Sequence, residues 1–471
     1  MSLPPPPDRP ALPPGTRVLL DAGVRRYGAL LVGGAPVRAV RLGAGGARLL
    51  EGGSFVLDGT PGRAGLAAQL VGAGLAAYVA DAPPPAGDDV LVVVPAHERA
   101  DGVERLLGAL GGAVPVLVVD DASPDPGPLA ATAARHGADV LRLPTNLGPA
   151  GARNAGLAEA RRRDATYVLF VDSDVVVTAE ELRRLRAAFV DPGLAVVAPR
   201  IRGLVETGSA LTRYEAVASS LDRGPRSAFV APGTAVAYVP SAVLLARVAA
   251  LGEGFAADLR VGEDVDLVWR LVRAGWRVRY DAGATARHDH RVALGAWARR
   301  RADYGGSAAV LAARHGDLVA PAVLAPLGVA QVAALLLQRP VPTVLAGGAG
   351  VVVAARLADR LGGDADARRT ATSLTLLATW MNVEQVAAGL LRHHWPLTVV
   401  GLAASRRVRR LVAAAVVADT AAGWVRQRPA TDVATYAVLR RLDDLAYGWG
   451  VWRGAVSERS VRSLLPAWRR S

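Results

Sequence analysis

The stretch VLFVDSDVVV, Val168 to Val177, decides how the rest of the chain is read. An unbroken apolar run leads straight into Asp172-Ser173-Asp174, so a buried strand ends in two carboxylates separated by one small residue. Two like charges near one point are costly unless a cation neutralises them. A hard divalent ion takes carboxylate and phosphate oxygens together, so a metal held there would bridge a diphosphate. The triplet alone recurs by chance. Its weight comes from its place at a strand end within a larger alternation.

That alternation extends on the N-terminal side. DVLVVVPA (Asp89 to Ala96), PVLVVDDAS (Pro115 to Ser123) and ADVLRLP (Ala138 to Pro144) read as three more buried strands. Helical stretches such as ERADGVERLLGAL and GARNAGLAEARRR separate them. Strands alternating with helices imply an α/β domain, a parallel sheet with helices on both faces. Ligands of such sheets bind beyond the carboxyl ends of the strands. Pro95, His97 and Glu98 lie there, as do Asp120 with Asp121, and Asp172 to Asp174.

Ionised carboxylates only accept hydrogen bonds, which suits them to the NH of a base and the hydroxyls of a ribose. Acids after strands also cap helices, and for Asp120 and Asp121 both readings stand. In NLGPAGARNAG the glycines, Gly148 among them, allow tight turns and close backbone approach, while Arg153 offers a fork for phosphate or carboxylate. The glycine spacing is not that of a dinucleotide-binding loop. In GEDVDLVWRLVRAGWRVRY, Glu263 and Asp264 open an amphipathic helix, where a carboxylate can take a proton from an acceptor hydroxyl. The helix dipole favours acids at that position without any catalysis. His288 and His290 follow a strand-like run, and neutral imidazole is a metal ligand.

Outside this middle, residues 1–16 form a Pro-rich, extended tail. Residues 17–81 read as a small independent unit, with a hairpin around Gly33-Gly34 and helical spacing over 62–79. DAPPPAGDD, Asp81 to Asp89, is the linker to a catalytic domain over 89–316. From 317 to 471 the chain becomes apolar and helical. Leu318 to Leu337 carries no charge and has the length needed to span a bilayer. Further apolar runs follow at 341–355, 396–404 and 411–418. Basic flanks such as RRVRR suit the cytoplasmic side of a membrane. Buried Ala-rich helices are the other reading.

With 471 residues, two or three domains are expected. The 55 basic residues are all Arg and exceed the 42 acidic ones, leaving a net charge of +13. A phosphate-rich substrate and an anionic membrane surface both answer that charge. No basic run is interleaved with stacking aromatics, which argues against nucleic acid. The absence of cysteine removes disulfides, thiolate metal sites and cysteine nucleophiles. MSLPPPPDRP lacks the apolar core of a secretory signal, so the catalytic domain is expected in the cytoplasm.

Taken in order, VVVPAHER, VVDDASPD, NLGPAGARNAG, VDSD and GEDVDLVWRL resemble the inverting glycosyltransferases of family 2, which share the GT-A fold. The resemblance implies a nucleotide-sugar site built from Pro95, His97, Glu98, Asp120, Asp121, Asn146, Gly148, Arg153, Asn154, Asp172 and Ser173. It implies Mg²⁺ or Mn²⁺ held by Asp172, Asp174 and His288. Asp264 would be the general base, with Glu263 beside it. The N-terminal unit is similar in pattern to the PqqD-like winged-helix units that hold peptides. With the domain order and the HDHR ending, the whole resembles the mycofactocin-system branch of the family in actinobacteria. That branch implies transfer of glucose from UDP-glucose to a peptide-derived redox cofactor precursor, building a short β-glucan chain at the cytoplasmic face of the membrane. It also implies a peptide or carrier protein as partner of the N-terminal unit. Processive members usually carry Q-x-x-R-W, whereas this chain has GAWARRRADYGG, which favours a short oligosaccharide. Two alternatives stay open: a cell-envelope transferase acting on a lipid-linked acceptor, and a membrane-associated binding protein with a degenerate transferase domain. The intact Asp172, Asp174, Glu263 and Asp264 argue against the second.

Overall fold

The computed structural model describes residues 3–6, 12–80, 87, 89–290 and 293–468, so most of the expected linker lies outside the described residues. The chain divides into two compact units, Met1–Leu204 with Ser219–His290, and Val205–Ala218 with Arg291–Ser471.

The first unit opens with β1 (Arg17–Leu20), β2 (Arg25–Tyr27), β3 (Leu30–Gly33), β4 (Arg38–Arg41), α1 (Ala44–Leu49), β5 (Ser54–Val56), α2 (Pro61–Gly72) and β6 (Ala76–Val79). They form two antiparallel sheets, ordered β5-β1-β6 and β2-β3-β4. The expected hairpin is β3 and β4. Gly34 turns between them at φ +83, where a Cβ would stand 2.5 Å from the Ala73 carbonyl. The helix expected over 62–79 stops at Gly72, because Gly74 at φ +72 turns the chain into β6. By packing, this segment is not a unit of its own. Val18, Leu31 and Leu75 join one apolar cluster with Val92, Leu106 and Leu169, and Arg279 donates to Asp21 at 2.6 Å. Part of the tail docks as well: Leu3 is buried, and Trp276 Nε1 donates to the Pro4 carbonyl at 2.7 Å.

The larger sheet follows with β7 (Val90–Ala96), α3 (Ala100–Leu110), β8 (Val116–Asp120), α4 (Gly127–Arg135), β9 (Asp139–Arg142), α5 (Gly148–Arg162), β10 (Tyr167–Val171), β11 (Val175–Val176), α6 (Ala179–Ala187) and β12 (Leu194–Gly203). The chain then leaves for α7 (Ala210–Ala218) of the second unit. It returns as β13 (Ala228–Phe229), β14 (Val243–Arg247), α8 (Glu263–Arg273) and β15 (Arg277–His288). Strand order is β11-β15-β12-β14-β10-β7-β8-β9, with β13 beside β15. Strands β9, β8, β7 and β10 are parallel as expected. The sheet as a whole is mixed, however, since β14 runs antiparallel to both β10 and β12. The excursion after β12 brings the chain back at the carboxyl edge, and a strand entered from that edge must run the other way. Alternate residues of a strand face opposite layers. Val92 and Val94 cluster with Leu106 of α3 and Leu182 of α6. Val93 faces α5, where a Cβ on Gly156 would lie 2.2 Å from its side chain. Helices therefore cover both faces.

The second unit holds α7, α9 (Leu294–His315), β16 (Val323–Leu324), α10 (Pro326–Leu337), α11 (Pro340–Arg360), α12 (Ala365–Ala388), α13 (Trp395–Ala404), α14 (Arg406–Gln427), α15 (Val433–Ser457) and β17 (Ala467–Trp468), with β17 parallel to β16. Helix α9 packs along α15, so the compact boundary falls at Arg291 instead of Asp317. Arg301 of α9 donates to Glu215 at 2.6 Å and lies 3.1 Å from Asp443, both buried. The charge-free run 318–337 does not form one long helix. Its helical part, α10, starts only at Pro326, a residue that lacks the backbone donor a helix interior needs. Twelve residues give about 18 Å at 1.5 Å per residue. A bilayer core is about 30 Å thick. Among the described residues, α11 alone is long and apolar enough to cross a bilayer, and 11% of its most apolar window is buried.

Candidate active site

Because β7, β8, β9 and β10 are parallel, their last residues share one edge, and the acids expected to matter gather along it. Asp120 ends β8 in register with Arg142, the last residue of β9. Its carboxylate accepts from the Ser123 amide at 2.9 Å and from Arg142 Nη1 at 2.5 Å. Burial pushes Asp120 up, but the Ser123 hydrogen bonds and the Arg142 guanidinium outweigh it and hold the group below the usual carboxylate range. Asp120 is thus kept ionised as an acceptor at the strand edge. The sequence reading missed Arg142 and Ser123. The parallel register of two runs already recognised as strands would have paired Arg142 with Asp120.

Asp121 has a different task. Its two carboxylate oxygens accept from the Leu147 and Gly148 amides at 2.7 and 2.8 Å. Its carbonyl meets His97 Nδ1 at 3.0 Å and Asn146 Nδ2 at 3.2 Å. Asp121, Asn146 and Gly148 (φ +73) therefore build the start of α5, the capping reading that stood open. Pro95 lies at the end of β7, and Glu98, at φ +59, donates its amide to Ser123 Oγ at 3.0 Å. These residues shape the loop that borders Asp120.

Beyond Val171 the strand does not run on. The Val175 amide donates to the Asp172 carbonyl at 3.0 Å, closing a turn over residues 172–175. The two acids on this turn meet different partners. Asp172 Oδ1 accepts from Arg153 Nη2 at 2.5 Å. Asp174 faces Arg99 and His288, each at 3.6 Å. Ser173 turns its carbonyl to Gly102 of α3, where a Cβ would stand 2.0 Å away. The expected set of Asp172, Asp174 and His288 accordingly does not converge. Among the described residues, no three His, Asp or Glu side chains come together around a cation position. His288 sits at the end of β15 with its Nδ1 3.0 Å from His290 Nδ1.

Arg153 ties the strand edge to α8. It is 2% exposed, and its other nitrogen, Nη1, donates to Glu263 Oε1 at 2.9 Å. One planar guanidinium thus spans Asp172 and Glu263, a geometry lysine cannot supply. Burial alone would lower the proton affinity of Arg153, but Asp172 and Glu263 raise it, so the cation is permanent. Asn154 points elsewhere: its amide brackets the Phe255 backbone, donating to the carbonyl and accepting from the amide, both at 2.8 Å. Both residues, which the resemblance placed in the nucleotide-sugar site, are engaged by the protein's own groups. Arg153 and Asn154 are internal fasteners.

Asp264 is the remaining carboxylate, and it stays partly open. It accepts from its neighbour Val265 at 2.8 Å and from the Ser241 amide at 3.3 Å. The protein packed around it, and then the Glu263 carboxylate beside it, push Asp264 up to about 7. Arg153 pulls the other way. A group poised there switches between acid and base near neutrality, which suits proton transfer. Trp269 Nε1 donates to the Ala237 carbonyl at 2.8 Å, fixing α8 behind this acid.

Strand-edge carboxylates beside a proton acceptor are groups that transfer chemistry can use. The chain belongs to glycosyl transferase family 2, whose model matches residues 91–249. It is 41% identical over 477 aligned residues to the pre-mycofactocin glycosyltransferase of Mycobacterium tuberculosis, covering 97% of this chain and 98% of that protein. It is also 41% identical over 110 residues to the succinoglycan biosynthesis protein ExoO of Rhizobium meliloti, across 22% of this chain and 31% of that one. Among solved structures, S. aureus TarS 1-349 in complex with UDP-GlcNAc aligns at 21% identity and a TM-score of 0.37, over 48% of this chain and 65% of that chain.

Proposed function

We propose that this glycosyltransferase moves glucose from UDP-glucose onto the peptide-derived precursor of the redox cofactor mycofactocin, extending a short β-linked glucan. The observation that carries the transfer chemistry is Asp264, a half-open acid poised near neutrality and held from behind by the Glu263–Arg153–Asp172 chain. The full-length likeness to the mycobacterial enzyme supports the pathway and, through it, the donor and acceptor. In this reading Asp264 takes the acceptor hydroxyl proton as that oxygen forms a bond to the anomeric carbon. The bond from that carbon to the diphosphate breaks on the opposite face, so the configuration inverts. Asp120 accepts from the nucleoside, with the loop of Pro95 to Glu98 along one side of it.

Mg²⁺ or Mn²⁺ would enter beside Asp174, where Arg99 and His288 each lie 3.6 Å from the carboxylate. Asp174 and His288 would hold it, and such ions normally take one or two protein ligands plus phosphate and water. When bound, the ion supplies charge neutralisation for the leaving diphosphate. The N-terminal sheets would receive the peptide or a carrier protein, and the apolar helices of the second unit would keep the enzyme at the inner face of the membrane. The test is a transfer assay with UDP-glucose and the purified peptide-derived precursor, read by mass spectrometry with and without EDTA. A mass increase of one or more hexoses that EDTA abolishes is the expected result. Transfer unaffected by EDTA would overturn the metal, and transfer only to lipid-linked acceptors would overturn the pathway.

A further inference from the structure

The second unit exposes apolar side chains next to a concentration of unpaired positive charge. On α11, Val341, Val344, Leu345 and Val351 are each at least 66% exposed, and on α13 Leu397 and Val400 are 64% and 67% exposed. Exposed apolar rows of this kind mark a contact with a partner or a membrane. The turn from α10 into α11 lies against the start of α14, since Gln338 Nε2 donates to the Arg407 carbonyl at 2.9 Å. That contact brings the Gln338-Arg339 turn to the start of α14, which carries Arg406, Arg407, Arg409 and Arg410. All five are exposed, and none is ion-paired among the described residues. No acidic residue occurs from Trp395 to Ala418. Arg409 is the one with a hydrogen bond, donating to the Leu402 carbonyl at 2.8 Å and so binding α13 to α14.

We propose that this arginine corner, with the apolar rows of α11 and α13, seats the second unit on a bilayer leaflet rich in anionic phospholipid. The proposal rests on the membrane reading above and adds the lipid chemistry and the surface that reads it. Five unneutralised guanidinium groups call for phosphate-bearing partners. The bordering side chains are aliphatic, so a partner that offered only phosphate, such as a nucleic acid, would leave them in water. A lipid leaflet supplies headgroup phosphate and hydrocarbon within a few ångströms of each other. Between α10, α11 and α12 lies a cavity of about 520 Å³ lined by Ala334, Leu335, Ala346, Gly347, Val351 and Leu376, which offers room for hydrocarbon on the same unit.

The experiment is co-sedimentation of the full chain with phosphatidylcholine vesicles, made with and without phosphatidylglycerol. Binding should favour the anionic vesicles and weaken with salt. A basic side chain at such a surface contributes about fivefold in partitioning, so Arg406→Gln, Arg407→Gln and Arg410→Gln together should lower it on the order of 100-fold. Calorimetric binding of UDP-glucose should be unchanged in that variant, which checks its fold. Val344→Ser with Leu345→Ser should weaken binding to both kinds of vesicle. Equal binding to neutral and anionic vesicles would overturn the arginine corner and leave the membrane reading standing. Failure to bind either would overturn both. Retention on duplex DNA that the arginine changes abolish, with vesicle binding unaffected, would assign the corner to nucleic acid instead.

Discussion

Arg153 is where the strand edge at Asp172 and the start of α8 at Glu263 meet, and its removal should show in stability before it shows in chemistry. Arg153→Met leaves Asp172 and Glu263 as like charges without their shared cation. Breaking a buried pair by deleting one partner costs about 3–5 kcal/mol, so urea denaturation should move by that order. A variant as stable as the parent would mean that water already satisfies those acids. Asp264 makes a sharper claim. Only its ionised form accepts a proton, so kcat/KM should rise with pH, turn near pH 7 and stay flat above. Asp264→Asn should lose that limb together with about 10²–10⁴-fold in rate. The linkage sign is also fixed. The folded pKa of about 7 lies above the unfolded carboxylate value of about 3.9, so between them the folded state holds the proton and stability falls as pH rises. Asp264→Asn, which has no charge to bury, should therefore be at least as stable as the parent at pH 8. A marked loss of stability there would show that the carboxylate has a structural role.

Helices in this protein approach other backbone closely at glycines, and each such contact is a test of the fold. Helix α3 meets the turn of Ser173 at Gly102, with no room for a methyl group. Alanine gains about 1 kcal/mol in helix propensity over glycine. Forced overpacking against backbone costs about 1–3 kcal/mol, so the clash wins. Gly102→Ala should push α3 away from Asp174 and weaken UDP-glucose binding measured by calorimetry. Unchanged affinity would separate the turn from donor binding. The α9–α15 pair is as close. A Cβ on Gly450 would stand 1.9 Å from the Ala302 carbonyl, and one on Gly305 would stand 2.1 Å from the Tyr447 carbonyl. Gly450→Val should lower the thermal midpoint by several degrees, as a loss of about 1–3 kcal/mol implies for a long chain.

Taken as a molecule, the chain is divided differently from its sequence texture. The N-terminal segment shares one apolar cluster with the large sheet and an ion pair through Asp21 and Arg279. Deleting residues 1–80 would expose the inner faces of that cluster. Expression of the truncated chain should give aggregated protein, and a soluble, active 81–471 fragment would show that the segment is dispensable to the fold.

Local pattern was enough to reveal the four parallel strands, the helices between them, the N-terminal hairpin and the strand-edge position of Asp120, Asp172 and Asp174. Buried parallel strands are uniform apolar runs, and their ends are marked by the first polar residue. The family likeness was legible for the same reason, since its motifs are those strand ends. Side-chain direction was not legible. Whether Asp172 points to a metal or to Arg153 depends on a turn closed by a hydrogen bond from Val175, and on a guanidinium that comes from a different helix. Both readings of Asp121 stood open because an acid after a strand looks the same whether it faces solvent or backbone amides, and nothing local to Asn154 in α5 shows that its amide brackets Phe255. The reversed course of β14 and the assignment of α9 to the second unit also arise only when distant segments pack. They depend on which edge the chain returns to and on which glycines let two backbones touch, and no local periodicity records either.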